Sequence, residues 1–395
     1  MRRRGLASVL VLGLAGCEEG AAPASTSRDS LGVRIVESVA PAWEEGAEWR
    51  IEDRPVVDLA ETGSGDMHMF LRVRDVLRTG EYLVVADGVS RQVRVYDPEG
   101  RFVRVFGGPG EGPGEFGFLA VLVLMDDGRL VAQDFAPGGR GAEFDLHSGL
   151  IGTFSRPQLV YPLSQPVPSH HIWGTDERVI LGDDRSIQGL RRPAITIVRL
   201  SPNRESSDPI ITVPGDEVLI LPDADAIPIM GRRTHAVPTG RGGLVIGTAD
   251  AVEYSRVDAR TGRVELIARI LGVSLEVSRE EAEREKQVRL GPRASPRVRE
   301  IFAGISAPDE KPAYQQMLVD AEGNVWAGEF LGFVRRDEPQ DWYVWDSSGI
   351  WLGVVETPAR FELMRVGAGE VFGVRRDLND VEHPQVLRLA KPGAS

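Results

Sequence analysis

The sequence predicts an all-β chain: a six-bladed β-propeller whose N-terminal strand completes the last blade and which carries one helical insertion. Three observations lead there. Short apolar runs of alternating character, divided by Gly, Asp and Pro, recur in groups of four along the chain. The 45 glycines and 26 prolines among 395 residues demand many turns and leave little room for long helices. The last group is one strand short, and Pro55 to Leu59, near the start, is a run with no group of its own.

The composition is that of a globular protein, 42% hydrophobic and 27% charged, with a net charge of −13. So acidic a chain repels phosphate, which excludes a nucleic-acid partner. The lysines are Lys286, Lys311 and Lys391, and the other cations are arginines. Cys17 is the single cysteine, so neither an internal disulfide nor a cysteine-built metal site can form. No stretch after the first seventeen residues has the roughly 18 apolar residues that span a bilayer.

Residues 1–17 read as a signal. Arg2, Arg3 and Arg4 precede a short apolar stretch, Leu6 to Gly16, that ends in Leu14-Ala15-Gly16-Cys17. This ending resembles the lipobox of bacterial lipoproteins, which implies acylation of Cys17 and export. Glu18, being other than Asp, points to the outer membrane, with the chain facing the periplasm or the cell surface. Residues 18–48 begin with a Glu, Gly, Ala, Pro and Ser-rich segment too polar to fold alone, and are expected to be a flexible tether.

The propeller is expected over 49–392. Leu71 to Leu77, Tyr82 to Ala86, Gln92 to Tyr96 and Phe102 to Phe106 make the first blade, punctuated by Thr79-Gly80 and Asp97-Pro98-Glu99-Gly100. Ala120 to Leu124 through Ile151 to Phe154 make the second. The third runs from His171 through Val179 to Leu181 and Ala194 to Leu200, and the fourth from His235 to Ile270. The fifth runs from Gln316 to Val355. Phe361 to Leu389 supplies three strands of the sixth, and Pro55 to Leu59 supplies its fourth, so that no sheet edge stays open. Residues 277–305 break the pattern. Ser278 and Glu281 form a capping box, and Glu280 to Arg289 has no strand alternation, so a helical insertion is expected there.

Gly112-Pro113-Gly114-Glu115-Phe116 followed by Asp127-Gly128 and Leu130-Val131-Ala132, and the turn Asp320-x-x-Gly323-x-Val325-Trp326, resemble the NHL-type six-bladed propellers. The resemblance spans roughly Trp49 to Leu389 and implies ligand sites on the face where each innermost strand enters the central channel. The Gly112–Gly117 run also fits G-x-G-x-x-G, but a strand follows it where a dinucleotide site needs a helix.

Candidate functional residues fall into three sets. Asp87, Asp134, Asp183 and Glu329 end the second strand of four blades and form either an acidic ring or four local turn caps. His68, His171, Arg233, His235, Gln315 and Glu362 stand at or just before innermost strands, beside the channel mouth. Of these, His171 and His235 are the pair that could bind a divalent metal ion. Trp326, Trp342, Trp345 and Trp351 cluster in the fifth blade, as inter-blade packing or as a platform for sugars. The first functional expectation is a monomeric binding module for a protein, peptide or glycan, touching the membrane through its N-terminal lipid only. A metal-assisted lyase or hydrolase at the channel mouth and a structural part of an envelope assembly are the alternatives.

Overall fold

Asp-led turns set the rhythm of the fold. In the turn at Asp320, one carboxylate oxygen accepts the Glu322 and Asn324 N–H groups at 2.9 and 2.8 Å, and the other takes the Asn324 amide and the Trp326 indole. Gly323 closes that turn at φ 87°, where a side chain would be strained. Asp97, Asp258 and Asp346 hold their turns in the same way. The computed structural model describes residues 23–125, 127–134, 140–155, 160–162, 173–176, 189–200, 207–220, 225–239, 242–292, 294–303, 305 and 308–392.

Between such turns the described residues fold into six successive sheets, each built on four antiparallel strands. The first spans Val73–Gly107 and the second Leu119–Ser155. The third combines Val160–Pro162, Trp173–Asp176, Ala194–Leu200 and Ser207–Pro214. The fourth spans His235–Ile270, the fifth Gln316–Thr357, and the sixth begins at Phe361. A three-stranded sheet of Gly189–Arg191, Val218–Ile220 and Asp225–Ala226 is an addition that the strand pattern did not suggest.

Neighbouring sheets pack face to face. Val84, Leu119 and Phe144 join the first to the second, and Val76, Phe372 and Val386 join the sixth to the first. Trp326, Trp342, Leu363 and Leu387 join the fifth to the sixth. Tyr254, Leu266, Met317 and Trp345 join the fourth to the fifth, and Ile197 and Leu244 the third to the fourth. Trp326, Trp342 and Trp345 are fully buried, so this tryptophan cluster is inter-sheet packing. Each such ring removes about 150–250 Å² from water.

The first strands of the fourth, fifth, sixth, first and second sheets lie side by side in that order. An ion pair ties three of them together. Arg365 donates to both oxygens of Asp75 at 2.9 and 2.6 Å and to the Leu122 carbonyl at 2.9 Å, and Leu122 N–H donates back to Asp75.

The N-terminal segment departs from the expected tether. Ser25–Ser30 (β1) and Val33–Ser38 (β2) form a hairpin, and β2 lies parallel to Val264–Ile270 on the outer edge of the fourth sheet. The chain then crosses the fifth sheet, where Ala42 and Trp43 donate N–H groups to Trp351 and Leu352 carbonyls, both at 2.9 Å. Gly353 makes room there, since a Cβ would lie 2.2 Å from the Trp43 ring. Trp43 and Trp49 pack together, and Trp49 packs on Trp326. Arg50–Asp58 (β3) then becomes the fourth strand of the sixth sheet, pairing antiparallel with Glu382–Ala390. The segment straps three sheets because Val36, Val57 and Leu59 bury their side chains in them. Its first strand, Ser25–Ser30, is polar and mostly exposed, as a tether requires, but it is paired in a sheet.

Candidate functional site

The helical insertion forms as expected. Ser278 caps α1 (Arg279–Leu290) by accepting the Glu281 N–H at 3.1 Å, and α2 (Pro296–Ala303) follows after Gly291. Phe302 on α2 is buried against Ile229 and Met230, which lead into the fourth sheet. On α1 one carboxylate points inward. Glu285, 3% exposed, accepts the Phe333 and Val334 N–H groups at 2.5 and 3.0 Å. Gly332, at φ 64°, permits this docking, because a Cβ there would stand 2.7 Å from the carboxylate. The insertion is thereby pinned to the loop between the second and third strands of the fifth sheet.

Beneath α1 and that loop lies a cavity of about 490 Å³. Met230, Phe330 and Phe333 give it apolar walls, and Gln315, Gln316 and Gln340 give it amides. Five arginines, Arg233, Arg289, Arg336, Arg360 and Arg376, face three carboxylates, Glu285, Glu338 and Glu362. Arg289 is held in place, its guanidinium donating to the Pro228 carbonyl at 2.6 Å and lying over the Phe302 and Phe333 rings. Burial lowers its pKa from the usual arginine value, opposed by Glu285. Arg360 pairs with Asp337 and Asp380, and Arg376 with Glu362 at 2.8 Å. Arg233 pairs with Asp216 at 3.1 Å and Arg336 with Asp337 at 3.8 Å, both with more than half of the arginine side chain exposed. Exposed pairs of that kind contribute about 0–1 kcal/mol, so these two guanidinium groups can change partner cheaply.

The structure brings three of the six expected channel-mouth residues, Arg233, Gln315 and Glu362, into this one cavity. It separates the others. His68 is turned away, with Nδ1 2.7 Å from the Leu59 carbonyl and its ring edge-on to Tyr96. His235 begins the innermost strand of the fourth sheet but is 5% exposed and packs on Tyr314. Burial, assisted by Arg233, lowers its pKa to about 4, so the imidazole is neutral. Its Nε2 has no partner among the described residues. His171 lies outside the described residues. The proposed His171–His235 metal pair therefore has one described member, and it is buried.

Two carboxylates of the expected acidic ring, Asp87 and Asp134, are local caps, and a third, Glu329, is ion-paired. Asp87 accepts N–H groups from Leu71, Val89 and Ser90, and Asp134 accepts them from Gly117 and Phe118. Glu329 pairs with Arg335 and Lys311. Asp183 lies outside the described residues, as does Cys17. The sequence did not reveal Glu285 and Gly332, nor Arg289, Arg336, Arg360 and Arg376 of the cavity wall. A charged helix reads as solvent-facing, and the amides that hold Glu285 lie 48 and 49 residues further along the chain.

No family model matches the chain. Solved structures resemble it at low identity. A member of the DUF4221 family from Bacteroides vulgatus has a TM-score of 0.53 at 9% identity, over 87% of this chain and 99% of that one. A protein of Bacteroides fragilis assigned as exported has a TM-score of 0.50 at 10% identity, over 90% of this chain and 100% of that one. The PQQ-bound aldose sugar dehydrogenase of Streptomyces coelicolor has a TM-score of 0.44 at 14% identity, over 87% and 99%. At these identities the likeness is one of fold, and with the succession of four-stranded sheets it makes this chain a propeller-type all-β protein.

Proposed function

We propose that the chain is an exported, envelope-anchored binding module that takes a peptide, protein segment or glycan bearing an anionic group into the cavity beneath the helical insertion. The observation that carries this reading is the convergence in one cavity of five arginines with an aromatic wall, the arginines drawn from the fourth to sixth sheets and the insertion between them. Arginine forks suit carboxylate or phosphate groups, and Phe330 and Phe333 offer a flat apolar surface beside them. Arg233 and Arg336 are the groups free to turn toward a ligand, because each is held only by an exposed pair.

The six sheets serve as six blades of one NHL-like ring, with β3 completing the last. Its side-by-side inner strands and the Asp75–Arg365 tie favour that arrangement. Lipid on Cys17 is the membrane anchor. The lipobox-like Leu14–Cys17 supports it. Because β1 starts at Ser25, the edge of the fourth sheet can stand at most about 28 Å from Cys17, which keeps the monomeric propeller close to the bilayer. Calorimetric titration of acidic and neutral peptides and oligosaccharides tests the reading. Acidic members are expected to bind, with at least about tenfold weaker affinity in Arg233→Ala and Arg336→Ala, equivalent to about 1.4 kcal/mol. Equal binding of neutral members, or no effect of either substitution, would refute it.

A further inference from the structure

A second cluster of titratable groups lies where β3 ends, apart from the cavity. Asp58 is the last residue of β3 and is 8% exposed. The chain turns sharply after it, with the Glu61 and Thr62 N–H groups donating to the Asp58 carbonyl, which brings Glu61 back over Asp58. On the neighbouring strand, Gln385 is the register partner of Asp58, and His383 stands two residues before it. One ligand atom from each of Asp58, Glu61 and His383 lies within 4.8 Å of the other two.

The distances are those of a metal site as well as of a hydrogen bond. His383 Nδ1 is 3.3 and 3.2 Å from the two Asp58 oxygens. Two donors bound tetrahedrally to zinc at about 2.0–2.1 Å are separated by about 3.4 Å, so an ion enters this pair with little movement. An independent observation points the same way. Gln385 is 4% exposed and donates Nε2 to Asp58 Oδ2 at 2.7 Å, while its Oε1 is buried without a partner among the described residues. A buried amide oxygen left unpaired is unfavourable. Turned over, the amide sets that oxygen beside the carboxylate, an apposition that a shared cation makes favourable.

We infer that Asp58, Glu61 and His383 form a divalent-cation site of the zinc type, with the Gln385 amide oxygen as a fourth donor, which fastens β3 to Glu382–Ala390. An imidazole with two carboxylates is a zinc-like donor set, whereas calcium takes oxygen ligands alone.

The test uses the purified full chain, stripped with chelator and titrated with zinc chloride by calorimetry, alongside thermal melting. Near-stoichiometric uptake and a melting temperature that rises with zinc are expected. Glu61→Gln changes only an exposed side chain, so the metal-free melting temperature should stay put while zinc affinity falls at least about tenfold with the loss of one ligand. Absence of saturable zinc uptake, undiminished affinity in Glu61→Gln, or calcium binding as tightly as zinc would each overturn the assignment.

Discussion

Asp75→Asn is the substitution that asks most of the side-by-side first strands. The Asp75 and Arg365 side chains are 10% and 12% exposed, so solvent screens their attraction little. Arg365 reaches from the sixth sheet to Asp75 of the first and to the Leu122 carbonyl of the second, which makes one guanidinium the link between three inner strands. An asparagine keeps the shape but replaces one accepting oxygen with a donor and leaves the guanidinium without its counter-charge. Removing one partner of a buried pair costs about 3–5 kcal/mol. Because the asparagine oxygen and the Leu122 carbonyl still accept, the lower end, about 3 kcal/mol, applies. With a urea m-value of about 3 kcal/mol/M for a domain of this size, the unfolding midpoint should fall by about 1 M. The double replacement Asp75→Leu with Arg365→Met should recover only part of the loss, since an apolar pair leaves no buried charge but removes these partners of the Leu122 N–H and carbonyl. A midpoint within about 0.2 M of the native value for Asp75→Asn would show that the pair does not hold the sheets together.

Three further outcomes follow from residues described above. His235 has a folded pKa of about 4 against an ordinary 6.5, so its neutral form is favoured by folding. Its contribution is complete above pH 6.5 and is lost as pH falls through 4, by about 3 kcal/mol in all; His235→Gln should flatten that acid limb in urea titrations run across the range, and an unchanged limb would contradict the burial argument. Deletion through Leu59 removes β3 with the buried Val57 and Leu59 and exposes the edge of Glu382–Ala390. That costs at least about 3–6 kcal/mol, and a truncated protein melting at the native temperature would mean that β3 is not needed. Cys17→Ser should move the protein from the membrane to the soluble fraction, since stable attachment needs acyl chains that the serine cannot carry; retention in the membrane would place the anchor elsewhere.

What the sequence made legible was local. The Asp320-x-x-Gly323 turn could be read because the Asp side chain and the φ 87° glycine act within five residues of each other. The missing strand of the sixth group could be read because Val57 and Leu59 are apolar and otherwise unaccounted for. The hairpin of β1 and β2 was hidden because Ser25–Ser30 is held by backbone pairing with β2 and has exposed side chains, so it carries no apolar alternation. The cavity was half legible. Arg233, Gln315 and Glu362 were placed by their position before inner strands, whereas the docking of Glu285 on Phe333 and Val334 is a long-range contact with no local signature. His68 and His235 were misplaced for a related reason. Strand position fixes where a backbone lies, but the Leu59 carbonyl and the Tyr314 ring decide where each imidazole goes.

A crystallographic fragment screen of the full chain, repeated with Arg233→Ala/Arg336→Ala, bears most directly on the proposal that the cavity beneath α1 is the binding site. The account predicts that carboxylate-bearing aromatic fragments collect in that cavity, with the acid on Arg233 or Arg336 and the ring on Phe330 or Phe333, and that the double substitution empties it. Fragments that settle on other faces, or that occupy the cavity equally well in the substituted protein, would contradict it.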